Sequence, residues 1–186
     1  MRIKYVVHCA LLAALAGCGT LANPFVHMKP DYTELPADTL REVAREVELA
    51  VQAGERDPRI PDRDGVVIDT ELLRQSVRTR AARSEILNTL LDTGFAVEGG
   101  NGLVYILRTK NYKKTTKSKE RDRNALIVMS ENADRWALYE GVLKANDFSP
   151  RSLSAVQAIW HDARVAAMRP GQKYENAEGA VVRKGE

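Results

Sequence analysis

Apolar residues recur every three to four positions through four stretches of this chain, and each stretch predicts a helix with one buried face. The first runs from about Asp38 to Ala53. Leu40, Val43, Ala44, Val47 and Val51 share a stripe there, while Arg41, Glu42, Arg45, Glu46 and Glu48 fall mostly elsewhere. Gly54 and Pro58 stop it, and a charged, proline-bearing loop follows. The second helix is expected from Thr70 to Thr93, with Asp69 as N-cap and Gly94 at the C-cap. Its ends are apolar (Leu72, Leu73, Val77 and Ile86, Leu87, Leu90, Leu91), whereas its middle, Arg78 to Arg83, is basic and small. Arg80 and Arg83 share the arc of the leucines. The expectation is that their stems lie along the core edge with the heads in water; the alternative is a partner surface.

Phe95–Val97 and Leu103–Leu107 read as short strands around Gly99-Gly100-Asn101-Gly102, a turn in which the glycines and Asn101 supply positive φ. A third helix is expected over Asn124–Ala145, with Ala125, Met129, Ala133, Trp136, Tyr139 and Leu143 facing inward. Asn132 falls on that face and needs hydrogen-bond partners, while Asp134 and Arg135 fall outside, free to pair with neighbouring helices. A fourth helix spans Pro150 to Met168, capped by Ser149, with Leu153, Val156, Trp160, Ala163 and Ala167 as its stripe. Lys173 to Lys184 closes as a hairpin over Asn176–Gly179. The fold expected is mainly α, about four helices with one or two small β-hairpins, in a single small domain.

The N-terminus changes the picture of where this domain works. Arg2 and Lys4 precede an apolar run from Tyr5 to Ala16 interrupted by His8. That run falls short of the roughly 17–25 residues a bilayer-spanning helix needs, so it reads as a secretory signal. Leu15-Ala16-Gly17-Cys18 resembles the bacterial lipobox, in which lipid is joined to the cysteine and the chain is cut before it. Cleavage there discards Cys9 and leaves Cys18 without a disulfide partner, which acylation explains. Gly19, rather than aspartate, after the cysteine resembles the pattern of outer-membrane sorting. Residues 1–17 are thus expected as signal peptide and 18–37, with Pro24, Pro30 and Pro36, as a lipidated tether. The domain occupies 38–186. A tether of that length spans on the order of 25 Å. The location expected is the periplasm-facing side of the outer membrane.

Charge is nearly balanced over the whole chain, with 28 Lys and Arg against 25 Asp and Glu, so no global field argues for nucleic acid. One segment is exceptional. Arg108, Lys110, Lys113, Lys114, Lys117, Lys119, Arg121 and Arg123 stand against only Glu120 and Asp122, a net of +6. Such a run is commonly a solvated loop. As a binding element it suits an acidic protein or anionic headgroups, each lysine or arginine near a membrane adding about 1 kcal/mol. Tyr112 alone makes no base-stacking platform.

Little points to catalysis. His8 is lost with the signal, His27 lies in the tether, and His161 falls on the polar face of the last helix, where solvation is expected. Clustered partners for a zinc site or a Ser-His-Asp set are missing from the pattern. Asp62, Asp64, Gly65 and Glu71 fit four places of a calcium loop, but Ile60 stands at its first ligand position. A capped loop is the simpler reading. No cofactor or metal is expected.

The second half resembles the YdbL-like family of small envelope proteins. The residues that carry this are Glu131-Asn132-Ala133-Asp134-Arg135, Ala137-Leu138-Tyr139 and Arg169-Pro170-Gly171-Gln172-Lys173-Tyr174, with Asn176-Ala177, Gly179 and Val182-Arg183-Lys184. Leu90-Leu91-Asp92-Thr93-Gly94 and Asn101-Gly102-Leu103 also look like the family's helix-to-glycine stretch. Two departures stand out: family members often carry tryptophan near Val181, and many have no lipid anchor. The resemblance implies no enzymatic activity. It implies an accessory, chaperone-like role beside envelope proteins that bridge the two membranes, AsmA-like proteins among them. The function expected is therefore a lipid-anchored accessory protein acting by protein binding. The alternatives are an anion- or anionic-lipid-binding module using residues 108–123 and, less favoured, a cell-wall enzyme, which would need a deep pocket lined by perturbed carboxylates.

Overall fold

Among the described residues the chain forms five α-helices and a four-stranded sheet, one more helix than the pattern predicts. The structure is a computed structural model and describes residues 30–185. The signal stretch, Cys18, His8, His27 and most of the tether lie outside the described residues. In chain order the elements are α1 (Ala37–Gln52), α2 (Glu71–Asp92), β1 (Ala96–Glu98), β2 (Val104–Ile106), α3 (Lys110–Thr115), α4 (Ser118–Ala145), α5 (Leu153–Ala167), β3 (Lys173–Glu175) and β4 (Val181–Arg183). A short 3-10 turn, Pro150–Ser152, leads into α5, and the Ser149 side chain caps it by accepting from the Arg151 amide. No described helix is long and apolar enough to cross a membrane.

The extra helix, α3, comes from the basic segment, which is folded and not a loop. Thr109 caps it by accepting from the Tyr112 amide, and buried Tyr112 packs edge-on against Phe95, ring centroids 5.0 Å apart. α4 then begins at Ser118 rather than Asn124, its first turn completed by Glu120, which accepts from the Lys117 amide. The start of α2 differs by one residue from expectation. Thr70, not Asp69, is the N-cap, accepting from the Leu73 amide, while Asp69 instead pairs with Arg74.

The core divides into two clusters. The larger joins α1, the first half of α2, the second half of α4 and α5 through Leu40, Val43, Val47, Leu73, Leu138, Val142, Val156 and Trp160. Leu35 and Ala37, placed in the tether by sequence, pack against it. The smaller joins the end of α2, the hairpin and the start of α4 through Leu87, Leu90, Leu91, Ala96, Val104 and Val128.

Both expected hairpins form, and they merge into one sheet of order β2-β1-β3-β4. β1 runs antiparallel to β2 (Val97 opposite Tyr105) and parallel to β3 (Val97 opposite Lys173), and β3 is antiparallel to β4 (Tyr174 opposite Val182). Glu175 fastens the junction by accepting from the Gly100 amide at 2.9 Å and the Tyr105 hydroxyl at 2.6 Å. Buried Gln172 ties the closing hairpin to the end of α2 by donating to Asp92 at 2.7 Å.

Candidate functional site

Between the two apolar clusters, α2 and α4 present charges inward. Arg80 follows Val77 and precedes Leu87 on α2, and Glu131 and Arg135 lie between Val128 and Leu138 on α4. With Glu48 of α1, Glu98 of β1 and Arg164 of α5 they form a closed ring of alternating sign. Arg80 reaches Glu48 at 2.7 Å and Glu131 at 3.0 Å. Arg135 reaches Glu131 at 2.7 Å and Glu98 at 2.6 Å. Arg164 bridges Glu98 and Glu48, 3.2 Å from each. All six residues are buried, and their three positive and three negative charges cancel. Arg83 and Asp134 extend the ring toward solvent, Arg83 bonding Glu131 at 2.8 Å and Asp134 at 2.6 Å.

The ring's electrostatics decide what chemistry it can do. Burial alone would raise the Glu98 carboxyl, but Arg135 and then Arg164 outweigh it and hold the group down at about 2. Glu131 is likewise opposed by burial and driven well below the carboxylate range by Arg80 and Arg135. The same partners raise the arginines Arg80 and Arg135 against desolvation. A cavity of about 50 Å³ touches the ring, so perturbed carboxylates do line a pocket. Both, however, are shifted toward permanent ionisation and bonded to guanidinium groups. They offer neither a proton donor nor an effective base near neutral pH, where a general acid or base needs a pKa close to the working pH. The ring is a structural clasp over five elements.

Gly102 supports it from the β1–β2 turn. Its carbonyl accepts from the Tyr139 hydroxyl at 2.6 Å, Arg164 at 2.7 Å and Arg135 at 3.3 Å. Its φ is +78°, and a Cβ there would stand 2.9 Å from the Tyr139 hydroxyl oxygen, so only glycine suits the position. Asn101 has no positive φ, contrary to expectation; among the glycines of this turn only Gly102 does.

Several residues read as surface groups are therefore inside. Arg80 does not lay its head in water, because Glu48 and Glu131 satisfy it more completely within the fold, and Arg83 spends its charge on Glu131 and Asp134 instead of a partner. Arg135 points inward to Glu98 of β1 and its helix neighbour Glu131 to Arg80 of α2, which sets the rotation of α4 so that Met129 and Trp136 leave the core, 65% and 40% exposed. Ala133 is exposed with them. His161 is buried, its ring tilted against Tyr174 at 6.5 Å and its Nδ1 3.5 Å from Asp162. Asn132 has the partners it needs: it receives the Val104 amide at 2.9 Å and donates to the Val104 carbonyl at 2.8 Å. The calcium-like loop uses Asp62 to accept the amides of Ile68 and Asp69, which lowers its carboxyl pKa.

The predicted basic residues come together at the α3–α4 corner. Arg108, Lys110, Lys113, Lys114, Lys117, Lys119 and Arg123 are exposed, and Arg121 is half-buried, donating to the Thr116 carbonyl. Beyond the corner, the outer face of α4 carries Leu126 (63% exposed), Met129, Ala133 and Trp136. Their spacing of three, four and three residues aligns them in one ridge of about 15 Å on the side opposite the core. By the same helical geometry Lys119 and Asp122 precede them on this face and Glu140 follows, holding the Trp136 indole N–H at 2.8 Å. Comparison with protein-family models, curated proteins and solved structures gives no match.

Proposed function

We propose that this protein is a lipid-anchored envelope accessory factor that works by binding another protein through the outer face of α4. The observation that carries this reading is the ridge of Leu126, Met129, Ala133 and Trp136. Aligned large apolar residues on a solvent-facing helix mark an interaction surface more often than scattered ones do. Methionine adapts to a partner's contour, and tryptophan is a frequent anchor at interfaces. At one end Lys119 and the neighbouring Arg123 outweigh Asp122 by one positive charge, which suits a partner whose apolar strip begins beside acidic residues.

Cys18 supplies the address: acylated there, the chain is held at the periplasmic face of the outer membrane. The resemblance to YdbL-like proteins supports the same role, with a large AsmA-like envelope protein as the natural kind of partner. Two experiments test the reading. Cys18→Ser abolishes incorporation of labelled palmitate and releases the chain from the membrane fraction; retention of label overturns the anchor. A photo-crosslinker at Met129 gives a discrete protein adduct in intact cells, while one at exposed Glu178 on the closing hairpin does not. Equal labelling from both positions contradicts docking through α4.

A further inference from the structure

The corner between α3 and α4 encloses a cavity of about 340 Å³, within the size range of small-ligand sites. Arg108, Lys113 and Arg121 line it with three positive charges, and Asp122 with one negative. Ile106, Tyr112 and Ala125 complete the wall. The backbone behind these groups is tied down. The Thr116 hydroxyl donates to the Tyr112 carbonyl and the Arg121 guanidinium donates to the Thr116 carbonyl. Asn124 donates to the Tyr112 hydroxyl at 3.4 Å, and Phe95 closes against the Tyr112 ring. The contrast with the buried ring is plain. There every arginine is matched by a carboxylate, whereas Arg108, Lys113 and Arg121 make no ion pair with a described carboxylate.

We propose that this cavity binds a phosphate group carried on a small organic body, the chemistry of a phospholipid headgroup. Its net lining charge of +2 suits a phosphate ester, and the two guanidinium groups can each offer paired N–H donors to phosphate oxygens. A bare phosphate ion would leave much of the volume empty and would gain nothing from Ile106, Tyr112 and Ala125. Asp122 repels the phosphate itself and accepts a hydrogen bond from a hydroxyl or amine on the headgroup. Lys110, Lys114 and Lys117 are exposed on the same α3–α4 corner and add to the positive field that draws anions toward it. Asp122 alone among the lining residues shares a face with the α4 ridge, and none of Leu126, Met129, Ala133 and Trp136 lines the cavity, so this site and the docking reading are tested separately.

The test is titration of the full chain in neutral detergent, read by backbone amide NMR, with inorganic phosphate, sn-glycerol 3-phosphate and short-chain phosphatidylglycerol as probes. Saturable shifts at Tyr112, Lys113 and Arg121 are expected with both organic phosphates, at least tenfold tighter than with inorganic phosphate. Tighter binding of phosphatidylglycerol than of glycerol phosphate assigns the source to the bilayer, and the reverse to a soluble ester. Lys113→Gln and Arg121→Gln each weaken binding about tenfold, while Arg121→Lys retains part of it and checks that the corner still folds. Lys119→Gln and the ridge pair Leu126→Ser/Met129→Ser change affinity less than twofold. The proposal is overturned by absent saturation, by equal affinity for inorganic phosphate, or by equal losses on neutralising Lys119 and Lys113.

Discussion

Arg135 grips Glu98 with both terminal guanidinium nitrogens, 2.6 and 2.8 Å from the two carboxylate oxygens, and so fixes the sheet to α4. A fork-to-fork pair sets direction as well as distance. Because Arg135 reaches Glu98 on β1 while Glu131 of the same helix reaches Arg80 on α2, the two fix the rotation of α4, and the ridge of Leu126, Met129 and Trp136 faces outward as a result. The buried ring and the exposed ridge are two sides of one helix orientation.

Breaking the ring is expected to be costly. Removing one member leaves a buried charge unmatched, a loss of about 3–5 kcal/mol. Glu131→Ala is expected to fall in that range by urea denaturation, since it takes one carboxylate from Arg80, Arg83 and Arg135 at once and leaves the buried ring with a net positive charge. Asp134→Ala, at the half-exposed rim, is expected to cost about 1 kcal/mol or less.

Acid should open the same clasp. Glu98 and Glu131 have folded pKa values below their unfolded values, near 4.3. Their contribution is complete above the unfolded pKa and is lost as pH falls through the folded value. Stability is therefore expected to drop from about pH 5 toward pH 2, followed by circular dichroism with urea at each pH. Glu98→Gln should flatten that slope while lowering stability at pH 7.

Gly102→Ala tests the turn that feeds the ring. A side chain at φ +78° is strained, and its Cβ meets the Tyr139 hydroxyl. Such strain costs about 1–3 kcal/mol. Thermal melting of this variant should show the loss, and Gly179→Ala, also at positive φ but with no atom within 4 Å of its Cβ, should show less.

The ridge should be nearly silent in folding. Leu126→Ser and Met129→Ser are expected to shift stability by no more than about 0.5 kcal/mol, because both side chains are largely in solvent. Urea midpoints close to those of the parent chain would separate a binding role from a packing role.

Helix number and the turns were largely legible because they rest on local signals. Periodicity marks α1 and α5, Gly94 ends α2, and Asn176–Gly179 marks the closing turn. The ring was not legible because its attractions are long-range: Glu48 and Arg164 are distant in sequence, and hydropathy scores each as a surface residue. A trace did exist in the basic, small middle of α2, flanked by leucines, and in Glu131 and Arg135 at helical i,i+4 spacing. The inward face of α4 was misread for the same reason. Met129 and Trp136 look like core by type, but the charge partners waiting on α1, α2, β1 and α5 determine which side turns in. The basic corner was found as a charge run, while its helix and cavity needed the packing of Tyr112 on Phe95.

The most direct measurement of the docking claim is a residue-by-residue photo-crosslinking scan along α4, positions 122 to 140, in intact cells. Partner adducts are expected at Leu126, Met129, Ala133 and Trp136, with minima at buried Val128, Glu131 and Arg135, a helical period on the outer face. Adducts spread without that period, or none at the ridge, would contradict docking through α4.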